Sequence, residues 1–279
     1  MRVPLLSVVP FLVTCAPATQ PVREPVGVGA SPSPPSEDES LPSQVEASPD
    51  QLEARACVDP LTFADEHLEA VVREWVHTPS GDLHLADVAE LTTLTPGASG
   101  IEDLAGAECL SGLRYLALDS SHIRDLAPLA GLKSLEMVSL GSSGIRDLAP
   151  LAGLTNLVAL YLRTNQVSDL RPLAGLTNLR SLDLTENQVS DLAPLAGLTS
   201  LRKLDLAVNQ VSDLTPLAGL TNLRKLDLTE NRVRDLTPLA TLPNLEELIL
   251  VLNPIDCTAQ ASTIRNLVDR GCRVTIHCP

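Results

Sequence analysis

Residues 179–200 read LRSLDLTENQVSDLAPLAGLTS, and residues 201–222 read LRKLDLAVNQVSDLTPLAGLTN. The second stretch repeats the first one 22 positions on, with 17 of the 22 residues identical. The core D-L-x-P-L starts at Asp125, Asp147, Asp169, Asp191, Asp213 and Asp235, with the same spacing every time. The full unit is L-x-x-L-x-L-x-x-N-x-V-x-D-L-x-P-L-x-x-L-x-x, and its leading Leu falls at 113, 135, 157, 179, 201, 223 and 245. A degenerate copy opens at Leu91, with Pro96 in place of a strand Leu and Gly106 in place of the Pro. Self-similarity at a fixed period is the signature of a stacked-repeat architecture.

The pattern has a mechanical meaning. In Leu182-Asp183-Leu184 the period is two, so both Leu side chains share one face and Asp183 takes the other. So short a strand must pair with the next copy. Asn187 and its equivalents Asn165, Asn209, Asn231 and Asn253 follow the strands, with amides placed to bond backbone within a copy and in the next. Ser121 and Ser143 stand there in the first copies. Asp191 is placed to cap a short helix or 3₁₀ turn, and Pro194 sits in the first turn, where its missing N–H costs least. One copy cannot bury its leucines alone; a stack buries them as a continuous column.

This unit resembles the leucine-rich repeat, in the 22-residue class of bacterial internalins and phosphatase-regulating repeat proteins, over about residues 91–257. The resemblance implies an α/β solenoid. It would be a right-handed curved superhelix, with parallel β-strands on the concave face, short helical or 3₁₀ turns on the convex face, and a cap at each end. It also implies recognition of other proteins.

Residues 57–90 read as an N-terminal helical cap. Thr62-Phe63-Ala64-Asp65 reads as a capping box, and Leu68, Val71, Val72, Trp75 and Val76 recur at helical spacing. Residues 258–279 read as a C-terminal cap: a helix over 258–270 carrying Ile264, Leu267 and Val268, then a strand at Val274-Thr275-Ile276. The cysteines fall at 15, 57, 109, 257, 272 and 278, with none between 110 and 256. The expected pairs are Cys57–Cys109 and Cys257–Cys278, leaving Cys272 spare, with Cys257–Cys272 as the competing pair. Such staples suit an oxidising compartment.

Residues 1–15 read as a signal peptide. Leu12-Val13-Thr14-Cys15 resembles a bacterial lipobox, which implies lipidation of Cys15; Thr14 departs from the small residues preferred there. Residues 16–56 hold 8 Pro, 6 Ser and no aromatic residue, the composition of a disordered tether. Together these segments imply an exported protein of the bacterial cell envelope, held to a membrane through Cys15, with free secretion as the alternative.

The charge is uneven. Residues 1–56 carry net −4, residues 57–112 net −10 and residues 113–279 net −1, which sum to −15. With no strong basic patch, and only 2% aromatic residues, nucleic acid is excluded as a partner. No nucleophile motif or phosphate loop appears, and none of the five His stands at metal spacing from another ligand. The reading is therefore of a chain without catalytic residues, metal or cofactor.

What remains is the outward strand surface. One part offers Tyr115, Met137 and Tyr161 with Arg163, residue types that anchor interfaces. The other aligns Asp183, Asp205 and Asp227 beside Lys203 and Lys225. Three carboxylates without carbonyl ligands make a poor Ca²⁺ cage. The surface predicts a non-enzymatic interaction module that takes an unknown protein or peptide on its concave face. A structural envelope spacer without a dedicated ligand and a secreted internalin-like effector are the alternatives.

Overall fold

Each full copy spends three residues on a strand, pairs it with the same three positions of the next copy, and returns through a 3₁₀ turn. The computed structural model describes residues 57–96 and 100–277; the leader, Cys15 and the tether expected over 1–56 lie outside the described residues, as do 97–99 and 278–279. The strands are β1 (Thr93–Leu94), β2 (Tyr115–Ala117), β3 (Met137–Ser139), β4 (Ala159–Tyr161), β5 (Ser181–Asp183), β6 (Lys203–Asp205), β7 (Lys225–Asp227), β8 (Glu247–Ile249) and β9 (Arg273–Thr275). They form one parallel sheet in chain order. Leu160 faces Leu182, Leu182 faces Leu204 and Leu204 faces Leu226, so the register is the sequence period itself.

Among the described residues seven 3₁₀ turns run along the other side, including Ala149–Leu151, Ala193–Leu195 and Thr237–Thr241. Asp147 Oδ1 accepts from Ala149 N, Asp191 Oδ1 from Ala193 N and Asp235 Oδ1 from Thr237 N, each at 2.8 Å. The Asp thus reaches over the intervening Leu to the first residue of the turn, where backbone N–H groups lack helical acceptors. Between strand and turn lie the leucines and valines of every copy, buried in one continuous core from Leu61 to Cys272.

A ladder of amides ties coil to coil. Asn187 Nδ2 donates to Leu162 O at 2.9 Å and Leu184 O at 3.1 Å, while its Oδ1 accepts from Val167 N at 2.9 Å. Asn209, Asn231 and Asn253 repeat the set one coil further on. The residue before each ladder position has positive φ: Ser120, Ser142, Thr164, Glu186, Val208, Glu230 and Leu252, between 53° and 61°. This left-handed step costs every non-glycine residue about 1–2 kcal/mol.

The N-terminal cap departs from expectation. Helix α1 spans Glu66–Trp75, and its N-cap is Asp65 rather than Thr62. Asp65 Oδ1 accepts from His67 N and Leu68 N, and its Oδ2 accepts from Glu102 N and Asp103 N in the degenerate copy. Leu68 and Val72 are fully buried but Trp75 is 38% exposed, so the inward face is narrower than its apolar spacing suggests. A one-turn helix, α2, follows at Leu85–Val88. Cys57 and Cys109 are disulfide-bonded, with Cα atoms 5.5 Å apart.

At the far end, α3 spans Ala261–Asp269. It buries Leu267 and half-buries Ile264, but leaves Val268 47% exposed, so Val268 is not part of the packed face. The last strand, β9, begins one residue earlier than expected, at Arg273. Cys257 is disulfide-bonded, and Cys278, the partner expected for it, lies outside the described residues. Cys272 is free and buried, which rules out the competing Cys257–Cys272 pair.

Candidate functional site

Pairing at one residue per coil turns the outward strand positions into rows that cross the sheet. One row runs Tyr115, Met137, Ala159, Ser181, Lys203, Lys225, Glu247, Arg273. A second runs Ala117, Ser139, Tyr161, Asp183, Asp205, Asp227, Ile249, Thr275. Adjacent members of a row stand about 4.8 Å apart. Tyr115 and Met137 are therefore neighbours in the first row, whereas Tyr161 lies in the second row next to Asp183. Arg163 follows β4 on the same side and is exposed.

Two of these side chains are already engaged. Tyr115 Oη donates to Glu136 Oε2 at 3.0 Å, and the Arg114 guanidinium lies over the Tyr115 ring at 5.5 Å while also bonding Glu136. Arg114 and Tyr115 together hold the Glu136 carboxyl below its ordinary range. Arg163 Nη2 donates to Glu186 Oε1 at 3.0 Å, joined by Thr164 Oγ1 on Oε2. Glu136 and Glu186 belong to this surface and were not singled out by the sequence reading. Each sits 22 or 23 residues from its basic partner, which is the one signal that could have found them.

The three aligned aspartates are not equivalent. Asp183 Oδ1 accepts from Thr185 N at 2.9 Å, and Asp227 Oδ1 accepts from Thr229 N and Thr229 Oγ1. Asp205 has Ala207 at the corresponding place and bonds Lys203 instead, Nζ to Oδ2 at 2.7 Å. Burial, with Asp183 and Asp227 on either side, pushes the Asp205 carboxyl above its ordinary value despite Lys203. Lys203 is raised in turn, first by its bond to Asp205 and further by the field of Asp183. Lys225 does not join the aspartates; it pairs with Glu247 at 3.2 Å, and Arg273 bonds the same Glu247.

The surface thus gathers all nine expected residues on one side of the sheet but divides them. The β2–β4 end carries aromatic and small side chains edged by two buttressed arginines. The β5–β8 end carries Lys203 and Lys225 in one row beside Asp183, Asp205 and Asp227 in the other, with Glu247 closing the first row. No group of three or more His, Cys, Asp or Glu able to hold a metal occurs among the described residues. Such an arrangement supplies contact area and charge pattern.

Two sequence families match within the repeats, one described as Leucine Rich repeats (2 copies) over residues 177–219 and one as Leucine Rich repeat over residues 219–236. Among solved structures, an internalin (inlF) from Listeria monocytogenes is 32% identical with a TM-score of 0.73, over 77% of this chain and 63% of that one. The chain therefore spans less than two thirds of that internalin's length. Internalin C2 from the same organism is 34% identical with a TM-score of 0.73, over 79% of this chain and 99% of that one. A leucine-rich-repeat protein from Leptospira interrogans, at 23% identity and a TM-score of 0.62, covers 67% of this chain and 49% of its own and is alike in fold alone. No curated protein matches the chain.

Proposed function

We propose, on the premise that this chain belongs to the internalin-like leucine-rich-repeat family, that it is a non-enzymatic module which binds a protein or peptide across its strand side. The observation that carries this is the register: two unbroken rows of outward side chains, held on strands whose own hydrogen bonds and leucine core are complete without them. A pre-ordered surface lowers the entropy cost of association. The β2–β4 end supplies the anchors, Tyr161 and Met137, with Tyr115 and Arg163 oriented by Glu136 and Glu186. The lettering of residues 1–15 supports export, with Cys15 as the lipid-bearing residue at a bacterial envelope and the Cys57–Cys109 bond suited to that compartment.

The test is cross-linking capture from the native envelope with the full chain as bait, against the Tyr115→Ala/Tyr161→Ala/Arg163→Ala variant. Partner capture should fall sharply in the variant. Equal capture would remove this face from the proposal and favour the spacer reading. For the anchor, labelling with a radioactive fatty acid should mark the wild-type chain and not Cys15→Ala; no label in either would favour secretion.

A further inference from the structure

A third row runs along the edge of the strand side, at the residue just after each leading Leu. Backbone bonds of 2.8–2.9 Å connect Arg114, Glu136, Val158, Arg180, Arg202, Arg224 and Glu246 in sequence, so these residues stand in register one coil apart. The row settles its charge at both ends. Arg114 pairs with Glu136, and Arg224 pairs with Glu246 at 2.8 Å. In the middle, Arg180 and Arg202 are exposed, and neither takes part in an ion pair among the described residues. Lys203, next to Arg202 in sequence, is turned to Asp205. Like charges aligned on neighbouring coils repel mildly, and no carboxylate among the described residues pairs with either one.

We infer that Arg180, Arg202 and Arg224 form a docking edge for an acidic helix of a partner protein, lying along the solenoid axis. This rests on the interaction-module reading and names the partner's chemistry. The argument is charge complementarity at matched spacing. Two coil steps carry the row about 9.6 Å from Arg180 to Arg224. Carboxylates at positions i, i+4 and i+7 of an α-helix share one face and span about 10.5 Å. Arg180 and Arg202 can then each take one carboxylate through two N–H bonds, a geometry that Arg holds better than Lys, while Arg224 would exchange Glu246 for the third. Glu136 and Glu246 bound the window, so a longer polyanion following the row would run into carboxylates at both ends.

The test uses the 279-residue chain and fluorescein-labelled alanine-rich helical peptides of one composition. One carries Glu at i, i+4 and i+7; the other spreads the same three Glu around the helix. The aligned peptide should bind at least about fivefold more tightly by anisotropy at low salt, and Arg180→Glu/Arg202→Glu should weaken it about tenfold or more. Both arginines are exposed and outside every ion pair among the described residues, so that variant should keep the wild-type circular dichroism spectrum. Equal affinity for the two peptides, an unaltered double variant, or equal competition by inorganic phosphate or phosphatidylglycerol vesicles would overturn the inference. Capture of the native partner distinguishes the two levels. Capture that survives Arg180→Glu/Arg202→Glu sinks the acidic helix and leaves the module standing, whereas a wild-type chain that captures nothing sinks the module.

Discussion

At the scale of single residues, the coils are held by groups that must be satisfied rather than by groups that add much. Removing the Asn187 side chain would orphan Val167 N in a dry interior, while Leu162 O keeps Asn165 Nδ2 and Leu184 O keeps Asn209 Nδ2. An orphaned buried group costs about 1–3 kcal/mol, so Asn187→Ala should lower unfolding stability by about that much in urea titration. Asn178 makes one exposed bond, to Thr155 O, and Asn178→Ala should cost under about 1 kcal/mol. A similar loss for both would mean that the ladder is not a special constraint. Val208 points the other way. It is β-branched, 39% exposed and held at φ 58°, so Val208→Gly should raise stability by about 0.5–1 kcal/mol after the entropy cost of glycine. The ladder asparagines were readable from their 22-residue recurrence. The exposed amides of Asn156, Asn178, Asn222 and Asn244, each bonding a carbonyl 23 residues back, recur as regularly but sit among turn residues, where Asn needs no explanation.

At the scale of elements, α1 is joined to the first coil through Asp65, whose carboxylate accepts four backbone N–H groups. Burial opposes its charge, but those four donors together outweigh burial and hold its pKa below the ordinary carboxylate value. A carboxylate depressed in the folded state stabilises the fold above its unfolded pKa, and that contribution is lost as pH falls through the folded one. Asp65→Asn should therefore cost about 1–2 kcal/mol at neutral pH and should flatten the acid limb of stability against pH below the ordinary carboxylate range. An unchanged acid limb would assign that limb to other carboxylates. The N-cap at Asp65 was not legible because half of its partners, Glu102 and Asp103, lie 37 and 38 residues downstream in the copy with the weakest repeat pattern. The pairings of the strand side were hidden for a similar reason. Periodicity places Lys225 beside the aspartates, and only side-chain direction sends it to Glu247 instead. The fold, by contrast, was legible almost entire, because a sheet whose register equals the sequence period leaves one solution for the leucines.

At the scale of the whole molecule, a stacked-repeat protein has only nearest-neighbour coupling, so damage should stay local. Leu204 is fully buried between Leu182 and Leu226. Leu204→Ala should cost about 2–5 kcal/mol. Hydrogen exchange read by mass spectrometry should show lost protection in β5, β6 and β7, with β2 and α1 little changed. Near α1 the Cys57–Cys109 bond closes a loop with a sequence separation of 52, worth about 4 kcal/mol by the chain-entropy relation. Cys257 is disulfide-bonded as well, so reduction should release α1, β1 and the segment at Cys257 first, and leave β5–β7 protected. Uniform loss of protection along all nine strands after either change would show a single cooperative unit, and would contradict the neighbour-only coupling that a solenoid of this kind implies.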